Sequence, residues 1–172
     1  MKVDLTQTGD LKFMAKTARG VEFEVDPKNH ISALEYFAIG AITCTATDIV
    51  LLPAKRGKSV KNLKVEGDFT RPEGLPYHFG EVHVAYSFES DGGDVEAERW
   101  VLSSLESYCT TLNTLRGTAK ICYSITHNSA LIADRKYIVS GGGGTNSTNE
   151  TNNENNMNGT NNEPFASDAC PS

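Results

Sequence analysis

The stretch from Ser32 to Leu52 is apolar on nearly every side of a helix, which constrains the fold more than any other part of the sequence. Ser32 followed by Glu35 forms a capping box, so we expect a helix to begin there, and Pro53 should end or kink it. A helix that is apolar all round must be buried at the centre of a domain or of an assembly. One small sheet would cover only one side of this helix. The pattern therefore predicts a second copy of the chain as a dimer partner. The apolar members of the stretch are Leu34, Phe37, Ala38, Ile39, Ala41, Ile42, Ile49, Val50, Leu51 and Leu52.

The composition changes near residue 140 of the 172-residue chain. Residues 140–172 contain nine Asn and five Gly but no Lys or Arg, and few of their side chains are apolar. Such a segment cannot bury enough apolar surface to offset the entropy of ordering its backbone. We therefore expect a folded domain at 1–139 and a disordered Gly/Asn-rich tail at 140–172.

The charge and hydropathy of the body exclude some partners. Without the four acidic residues of the tail, 18 acidic and 16 basic residues remain, so the body is slightly negative. This charge argues against a protein that binds nucleic acid by neutralising many phosphates. The longest apolar run, 39–52, is interrupted by three threonines and an aspartate, so we expect no membrane span. The first dozen residues lack the apolar core of a signal peptide, which favours a cytoplasmic protein.

The pattern of alternation, turns and caps predicts an α+β protein with the element order βββ-α-ββ-α-β. We expect antiparallel sheets around the long central helix. The predicted strands are 2–6, 11–15, 21–25, 63–69, 82–88 and 118–126, and the second predicted helix is 95–108.

The four cysteines have ordinary interpretations from the residues alone. Cys44 lies on the apolar helix and Cys109 at the end of the second helix, where most cysteines are small core residues. Cys122 alternates into the core of a strand, and Cys170 lies in the tail. The four histidines form no metal-ligand spacing with these cysteines, and no glycine-rich loop opens a helix after a strand. We therefore expect neither a metal nor a bound cofactor.

Two runs around cysteines resemble the two cysteine motifs of the OsmC/Ohr family, the osmotically inducible and organic hydroperoxide resistance proteins. They are Gly40-Ala41-Ile42-Thr43-Cys44-Thr45-Ala46-Thr47-Asp48 and Ser103-Ser104-Leu105-Glu106-Ser107-Tyr108-Cys109-Thr110. Gly9-Asp10-Leu11-Lys12-Phe13 and the stretch from Arg71 to Val84 are also similar to one branch of that family. The resemblance covers about residues 1–127, with the motifs in the family's order and with matching gaps.

The resemblance implies an intertwined homodimer and a thiol-dependent peroxidase. Cys44 would be the peroxidatic residue, whose thiolate attacks an organic hydroperoxide and becomes a sulfenic acid. Cys109 would be the resolving residue, which condenses with it to a disulfide that an external thiol then reduces. The alternative is a non-enzymatic dimeric module that binds a hydrophobic ligand or partner at the interface, with Cys44 as a core residue.

A peroxidatic thiol needs a lowered pKa, supplied by a cation, and a donor that polarises the peroxide. Asp48 follows Cys44 by one helical turn on the same face, so we expect its charge to oppose thiolate formation and a basic residue to compensate. Arg71 stands where this family branch carries an arginine, and Arg19 is the second candidate. Either arginine could instead be solvated.

Glu35 matches the helix-entry glutamate that orients the arginine in the family. Nine residues at about 100° each place Glu35 on the opposite side of the helix from Cys44 and about 13 Å away along the axis. A catalytic role for Glu35 would therefore cross the dimer, and the alternative is that Glu35 only caps the helix. Tyr77 stands where the family has a second arginine, which weakens the expected electrostatics of the site.

Overall fold

The structure, a computed structural model, describes residues 1–138. These residues belong to two compact units, the first comprising Met1–Gly40 and the second beginning at Ala41. The boundary falls inside a helix, whereas the sequence predicted one undivided domain over 1–139. The predicted tail, 140–172, lies outside the described residues.

The first unit contains a three-stranded antiparallel sheet in the order β1-β2-β3. Strand β1 spans Val3–Gln7, β2 spans Phe13–Thr17 and β3 spans Glu22–Val25. Gly20 adopts a φ of 78°, a conformation that glycine reaches without strain, at the turn between β2 and β3. The predicted meander is confirmed, with each strand beginning one or two residues later than expected.

Helix α1 spans Ala33–Ala54 and begins with the predicted capping box. The Ser32 backbone N–H donates to Glu35 Oε2 at 2.8 Å, and the Glu35 N–H donates to Ser32 Oγ at 3.2 Å. Pro53 lies inside the helix rather than beyond its end, so the predicted end was two residues early. The missing N–H of Pro53 affects only the last turn, because the helix ends one residue later.

In a single chain only one stripe of α1 is buried, namely Ala41, Thr45, Ile49 and Pro53. Ile39, Val50 and Leu51 are each about half exposed. By length and composition α1 is able to cross a membrane, so the interrupted apolar run does not exclude a span as we had expected. The core helix of a soluble protein passes the same test. Residues 1–138 of a single chain therefore leave an apolar surface of α1 exposed.

The second unit contains a four-stranded sheet in the order β4-β5-β6-β7. Strand β4 spans Val60–Thr70, β5 spans Glu81–Ser90, β6 spans Lys120–His127 and β7 spans Ala130–Tyr137. Strands β5 and β6 are parallel, and the other neighbours are antiparallel. The predicted antiparallel sheets are confirmed apart from this pair, which is parallel because the helices that follow β5 return the chain to the same end of the sheet.

Strand β7 was not predicted from the sequence. It forms a hairpin with β6 through Asn128 and Ser129, which both have positive φ, at 47° and 69°. Two consecutive positive φ values are typical of the tight turn that joins antiparallel strands. The usual glycine of such a turn is missing here, and its absence explains why the hairpin was overlooked.

The predicted second helix divides into three segments. Helix α2 spans Asp94–Ser103, a π-helical turn spans Ser104–Tyr108, and helix α3 spans Thr110–Leu115. The Cys109 N–H donates to the Ser104 carbonyl at 2.8 Å, which closes the wider π turn. Cys109 itself has an extended backbone (φ −72°, ψ 95°) and is the N-cap of α3 rather than the end of a continuous helix.

The core of the second unit lies between the sheet and these helices. Strand β5 alternates, so that Val82, Val84, Tyr86 and Phe88 are buried. They belong to one apolar cluster that also contains Trp100 of α2. This packing fixes the position at which the chain leaves α2 and enters the π turn.

Replacing Gly92 by Ala should destabilise the protein. A Cβ at Gly92 would lie 2.4 Å from Trp100 Cη2, and the buried indole has no room to move away. Overpacking of this kind costs about 1–3 kcal/mol of unfolding free energy, which urea denaturation measures. Gly117→Ala is the control, because a Cβ there has nothing within 4 Å. Equal stabilities of the two variants would contradict the packing described for Trp100.

Candidate active site

The structure brings the Cys44 and Cys109 side chains together within the second unit. Both are free cysteines, Cys44 partly exposed and Cys109 completely buried. A hydrogen bond between the two thiols influences the pKa of each. The two cysteines that the motifs singled out therefore lie side by side, one partly exposed and one buried.

Cys109 is held against the turn of α1 that precedes Cys44. Its Sγ lies 3.9 Å from the Ala41 carbonyl oxygen and 3.2 Å from Thr111 Oγ1. Because Cys109 caps α3, the first residues of that helix also face α1. The backbone N–H groups of a first helical turn have no partner inside the helix, so they are available to a neighbouring acceptor.

The pKa of the Cys44 thiol is lowered from its ordinary value. Burial acts in the opposite direction, but four hydrogen bonds to the sulfur together outweigh it. They come from the N–H and the hydroxyl of Thr111, from the Cys109 thiol and from the Thr110 N–H. Hydrogen bonds to the charged form of an acid favour that form, so this site stabilises a Cys44 thiolate.

The pKa of Cys109 changes in the opposite direction. Its pKa is raised to about 11, mainly by burial and also by the neighbouring Cys44, while hydrogen bonds from Thr111 and Leu112 act in the opposite direction. Cys109 is therefore a protonated thiol at neutral pH. The site combines one thiol that ionises readily with one that keeps its proton.

Asp48 is not placed as the sequence suggested. We expected its charge to oppose the Cys44 thiolate, but its carboxylate accepts a hydrogen bond from Ser104 Oγ at 2.8 Å. Ser104 Oγ lies 2.8 Å from Thr45 Oγ1, which in turn lies 2.6 Å from the Tyr86 hydroxyl. The hydrogen-bond donors at Cys44 were not predicted from the sequence.

The predicted arginine and glutamate keep other contacts in the structure. Arg71 is exposed, and its guanidinium lies 5.8 Å from the centre of the Tyr77 ring. Glu35 belongs to the first unit with Arg19, and hydrogen bonds from Ser32 lower the pKa of the Glu35 carboxyl. Their roles at a thiolate remain predictions.

The sequence analysis missed several residues of the site. Thr110 and Thr111 immediately follow the second cysteine. Had α3 been predicted, hydroxyl residues at the start of that helix would have indicated hydrogen bonding at this position. Thr45, Ser104 and Tyr86 carried no such signal, because their contacts join α1, the π turn and β5. Among residues 1–138 no cluster of three or more His, Cys, Asp or Glu is arranged to hold a metal ion.

Comparison with known proteins identifies the family. The sequence profile of the family described as OsmC-like protein matches residues 26–124, a range that contains both thiols. The match spans more than half of the chain, so this protein belongs to the OsmC-like family. The resemblance inferred from the cysteine motifs is confirmed. None of the curated proteins matches the chain.

Solved structures share the fold. An OsmC-like protein from Mycoplasma pneumoniae is 15% identical, with a TM-score of 0.64 over 73% of this chain and 95% of that one. An organic hydroperoxide resistance protein OsmC from Legionella pneumophila is 18% identical, with a TM-score of 0.55 over 73% and 96%. An organic hydroperoxide resistance protein from Elizabethkingia anophelis is 20% identical, with a TM-score of 0.55 over 74% and 97%. At these identities the likeness shows the fold.

Replacing Thr111 by Val should raise the pKa of Cys44. The variant keeps the backbone N–H but removes the hydroxyl that donates to the sulfur, so we expect a rise of about half a pH unit. The pH dependence of iodoacetamide alkylation of Cys44, followed by mass spectrometry, measures it. In the control Thr110→Val, the lost hydroxyl is not a donor to Cys44, whereas the retained N–H is. An equal rise in both variants would contradict the assignment to the Thr111 hydroxyl.

Proposed function

We propose that this protein is a thiol-dependent peroxidase that reduces organic hydroperoxides, with Cys44 as the peroxidatic and Cys109 as the resolving cysteine. The observation that supports it best is the hydrogen-bonded pair of thiols with opposite pKa shifts. The OsmC-like family and its neighbours named as organic hydroperoxide resistance proteins agree with a peroxidase-like role.

In the first step the Cys44 thiolate attacks one oxygen of the hydroperoxide. The O–O bond breaks, the attacked oxygen remains on sulfur as a sulfenic acid, and the other oxygen leaves as an alkoxide that takes a proton to become the alcohol. The sulfur is oxidised by two electrons and the peroxide is reduced by two. Donors from Thr110 and Thr111 keep the thiolate ionised in a partly buried place, where it remains reachable.

In the second step Cys109 attacks the sulfenic sulfur of Cys44. The S–S bond forms, the S–OH bond breaks, and the hydroxyl leaves as water with the proton of the Cys109 thiol. Because the pKa of Cys109 is about 11, this thiol stays protonated and does not compete for the peroxide. An external thiol then reduces the disulfide by exchange and is itself oxidised. No bound cofactor is needed for this sequence.

A non-enzymatic binding module is the second candidate function. An apolar groove of about 360 Å³ lies between α1 and β4. Its lining residues are Ile42, Thr43, Ala46, Thr47, Val50, Leu63 and Val65. A hydrophobic ligand or partner fits such a lining, and in that case Cys44 would be only a core residue.

We propose further that the protein is a homodimer in which a second copy covers the exposed side of α1. Leu51 is 51% exposed in the single chain, so Leu51→Glu should add a charge to that interface and dissociate the dimer. Light scattering at several concentrations measures the mass. Val95→Glu, on α2 and 73% exposed, is the matched control and should stay dimeric. A wild-type protein that is monomeric at every concentration would contradict the dimer.

The two cysteines should fail differently when each is replaced. Cys44→Ser should abolish consumption of an alkyl hydroperoxide, because a serine hydroxyl is hardly ionised at neutral pH. Cys109→Ser should react once, stop at a Cys44 sulfenic acid that dimedone labels, and then over-oxidise in excess peroxide. Peroxide consumption and mass spectrometry of the Cys44 peptide measure these outcomes.

Cys170→Ser is the control for a cysteine-to-serine replacement and should keep turnover, since this residue belongs to neither cysteine motif. Loss of stability would impair both active-site variants without producing a trapped sulfenate, so the asymmetry is diagnostic. Near-normal peroxide consumption by Cys44→Ser would refute the peroxidase assignment and favour the binding module.

A further inference from the structure

A chain of three hydroxyls ends on the Asp48 carboxylate, one helical turn beyond Cys44. The Tyr86 hydroxyl lies 2.6 Å from Thr45 Oγ1. Ser104 Oγ lies 2.8 Å from Thr45 Oγ1 and donates to Asp48 Oδ2 at 2.8 Å. Each hydroxyl has one proton to donate, and that of Ser104 is given to the carboxylate. The donors therefore point in one direction, from Tyr86 to Asp48.

This chain is a built feature of the second unit rather than a surface contact. Thr45 and Ser104 are completely buried, and Tyr86 is 2% exposed. Burying a hydroxyl without a hydrogen-bond partner costs free energy. Here each hydroxyl donates a hydrogen bond to the next group in the chain. Burial, together with the charges of Cys109 and Asp48, raises the pKa of Tyr86, so its hydroxyl remains a donor.

The position of Asp48 gives the chain a consequence for Cys44. Side chains four residues apart on a helix are neighbours, with Cβ atoms about 5–6 Å apart. A carboxylate that turned toward the Cys44 sulfur would disfavour the thiolate, since like charges at this distance oppose ionisation. In the structure the carboxylate is bonded to Ser104 instead, and the donors at Cys44 come from α3.

We propose that Ser104 is a positioning residue that holds the Asp48 carboxylate on the hydroxyl chain and away from the Cys44 sulfur. Ser104 touches neither thiol and acts through Asp48. Its benefit for catalysis rests on the proposed function, because only a reacting Cys44 needs to be a thiolate. The fold thereby holds a carboxylate one helical turn from its candidate nucleophile.

Other titratable groups surround the thiols and stay unchanged in the test. Cys109 faces Cys44 from the start of α3, and Tyr86 approaches from β5. Glu106 of the π turn has its pKa raised by burial and lowered by the charge of Arg116, which follows α3. None of these groups is replaced in the experiment, so a change can be assigned to Asp48.

The experiment measures the pH midpoint of Cys44 alkylation by iodoacetamide in the full-length protein, read from the Cys44 peptide by mass spectrometry. Ser104→Ala should raise the midpoint by about half to one pH unit, because it releases the carboxylate. Ser104→Ala combined with Asp48→Asn should return the midpoint to the wild-type value. Ser103→Ala is the matched control and should change nothing, since the Ser103 hydroxyl bonds only to the Arg99 carbonyl of its own helix, at 2.7 Å.

Two results would overturn the proposal. One is an unchanged midpoint in Ser104→Ala with a wild-type melting temperature. The other is a raised midpoint that persists in the double variant, which would mean that Ser104 acts on packing and not through Asp48. If Ser104→Ala fails to fold, the single variant Asp48→Asn tests the proposal. A carboxylate that is held away from the sulfur predicts an unchanged midpoint in this variant. A lowered midpoint would mean that the carboxylate already faces the sulfur and would overturn the proposal.

The outcome is independent of the proposed function. Alkylation requires only a thiolate, so the position of Asp48 is tested even in a protein that consumes no hydroperoxide. Wild-type protein that fails to consume alkyl hydroperoxide would refute the peroxidase assignment while leaving the Ser104 result intact.

Discussion

The contact of Cys109 with α1 is the interaction on which the candidate site depends. The Cys109 sulfur lies 3.9 Å from the Ala41 carbonyl oxygen of α1, and Cys109 is also the N-cap of α3, so the first turn of α3 lies beside Cys44. The same turn then supplies the donors from Thr110 and Thr111 that lower the pKa of Cys44. The burial that Cys109 gains in this position raises its own pKa. The packing of Cys109 and α3 against α1 therefore lowers the pKa of Cys44 and raises that of Cys109.

The π turn is what makes this contact possible. If the α-helix that starts at Asp94 continued without interruption, Cys109 would lie inside it. The wider turn at 104–108 instead ends α2, and Cys109 is the N-cap of a new helix. Single π turns often occur at functional sites. Ser104 is the first residue of the turn, and its hydroxyl bonds to Thr45 and Asp48 of α1. The same residue therefore fixes the turn against α1 and binds the carboxylate nearest to Cys44 in the sequence.

Helix α1 has two surfaces with different tasks. One stripe packs into the second unit at Ala41, Thr45 and Ile49, and next to it lies Cys44. The other surface leaves apolar side chains exposed in a single chain. If a second copy of the chain covers the exposed surface, the apolar side chains on both surfaces of the helix are removed from water. The dimer that we propose thus follows from the same helix that carries the candidate nucleophile.

The sequence by itself determined the elements whose signals are local. Alternation predicted β1 to β6, the capping box predicted the start of α1 at Ser32, and two cysteine motifs identified the family. Strand β7 was missed because its turn uses Asn128 and Ser129 in place of a glycine. These signals are readable because propensity, caps and turns depend on neighbours a few residues away.

Only the tertiary structure decided the electrostatics of the site. The sequence suggested that Asp48 would oppose the thiolate and that an arginine would compensate. The structure adds two contacts that the sequence did not predict: Ser104 donates to the Asp48 carboxylate, and the first turn of α3 donates to the Cys44 sulfur. The pKa of a thiol depends on burial and on donors within a few ångströms, and here those donors arrive from segments more than 60 positions away in the sequence. No local pattern encodes such contacts, because they exist only once α1, the π turn and α3 have packed together.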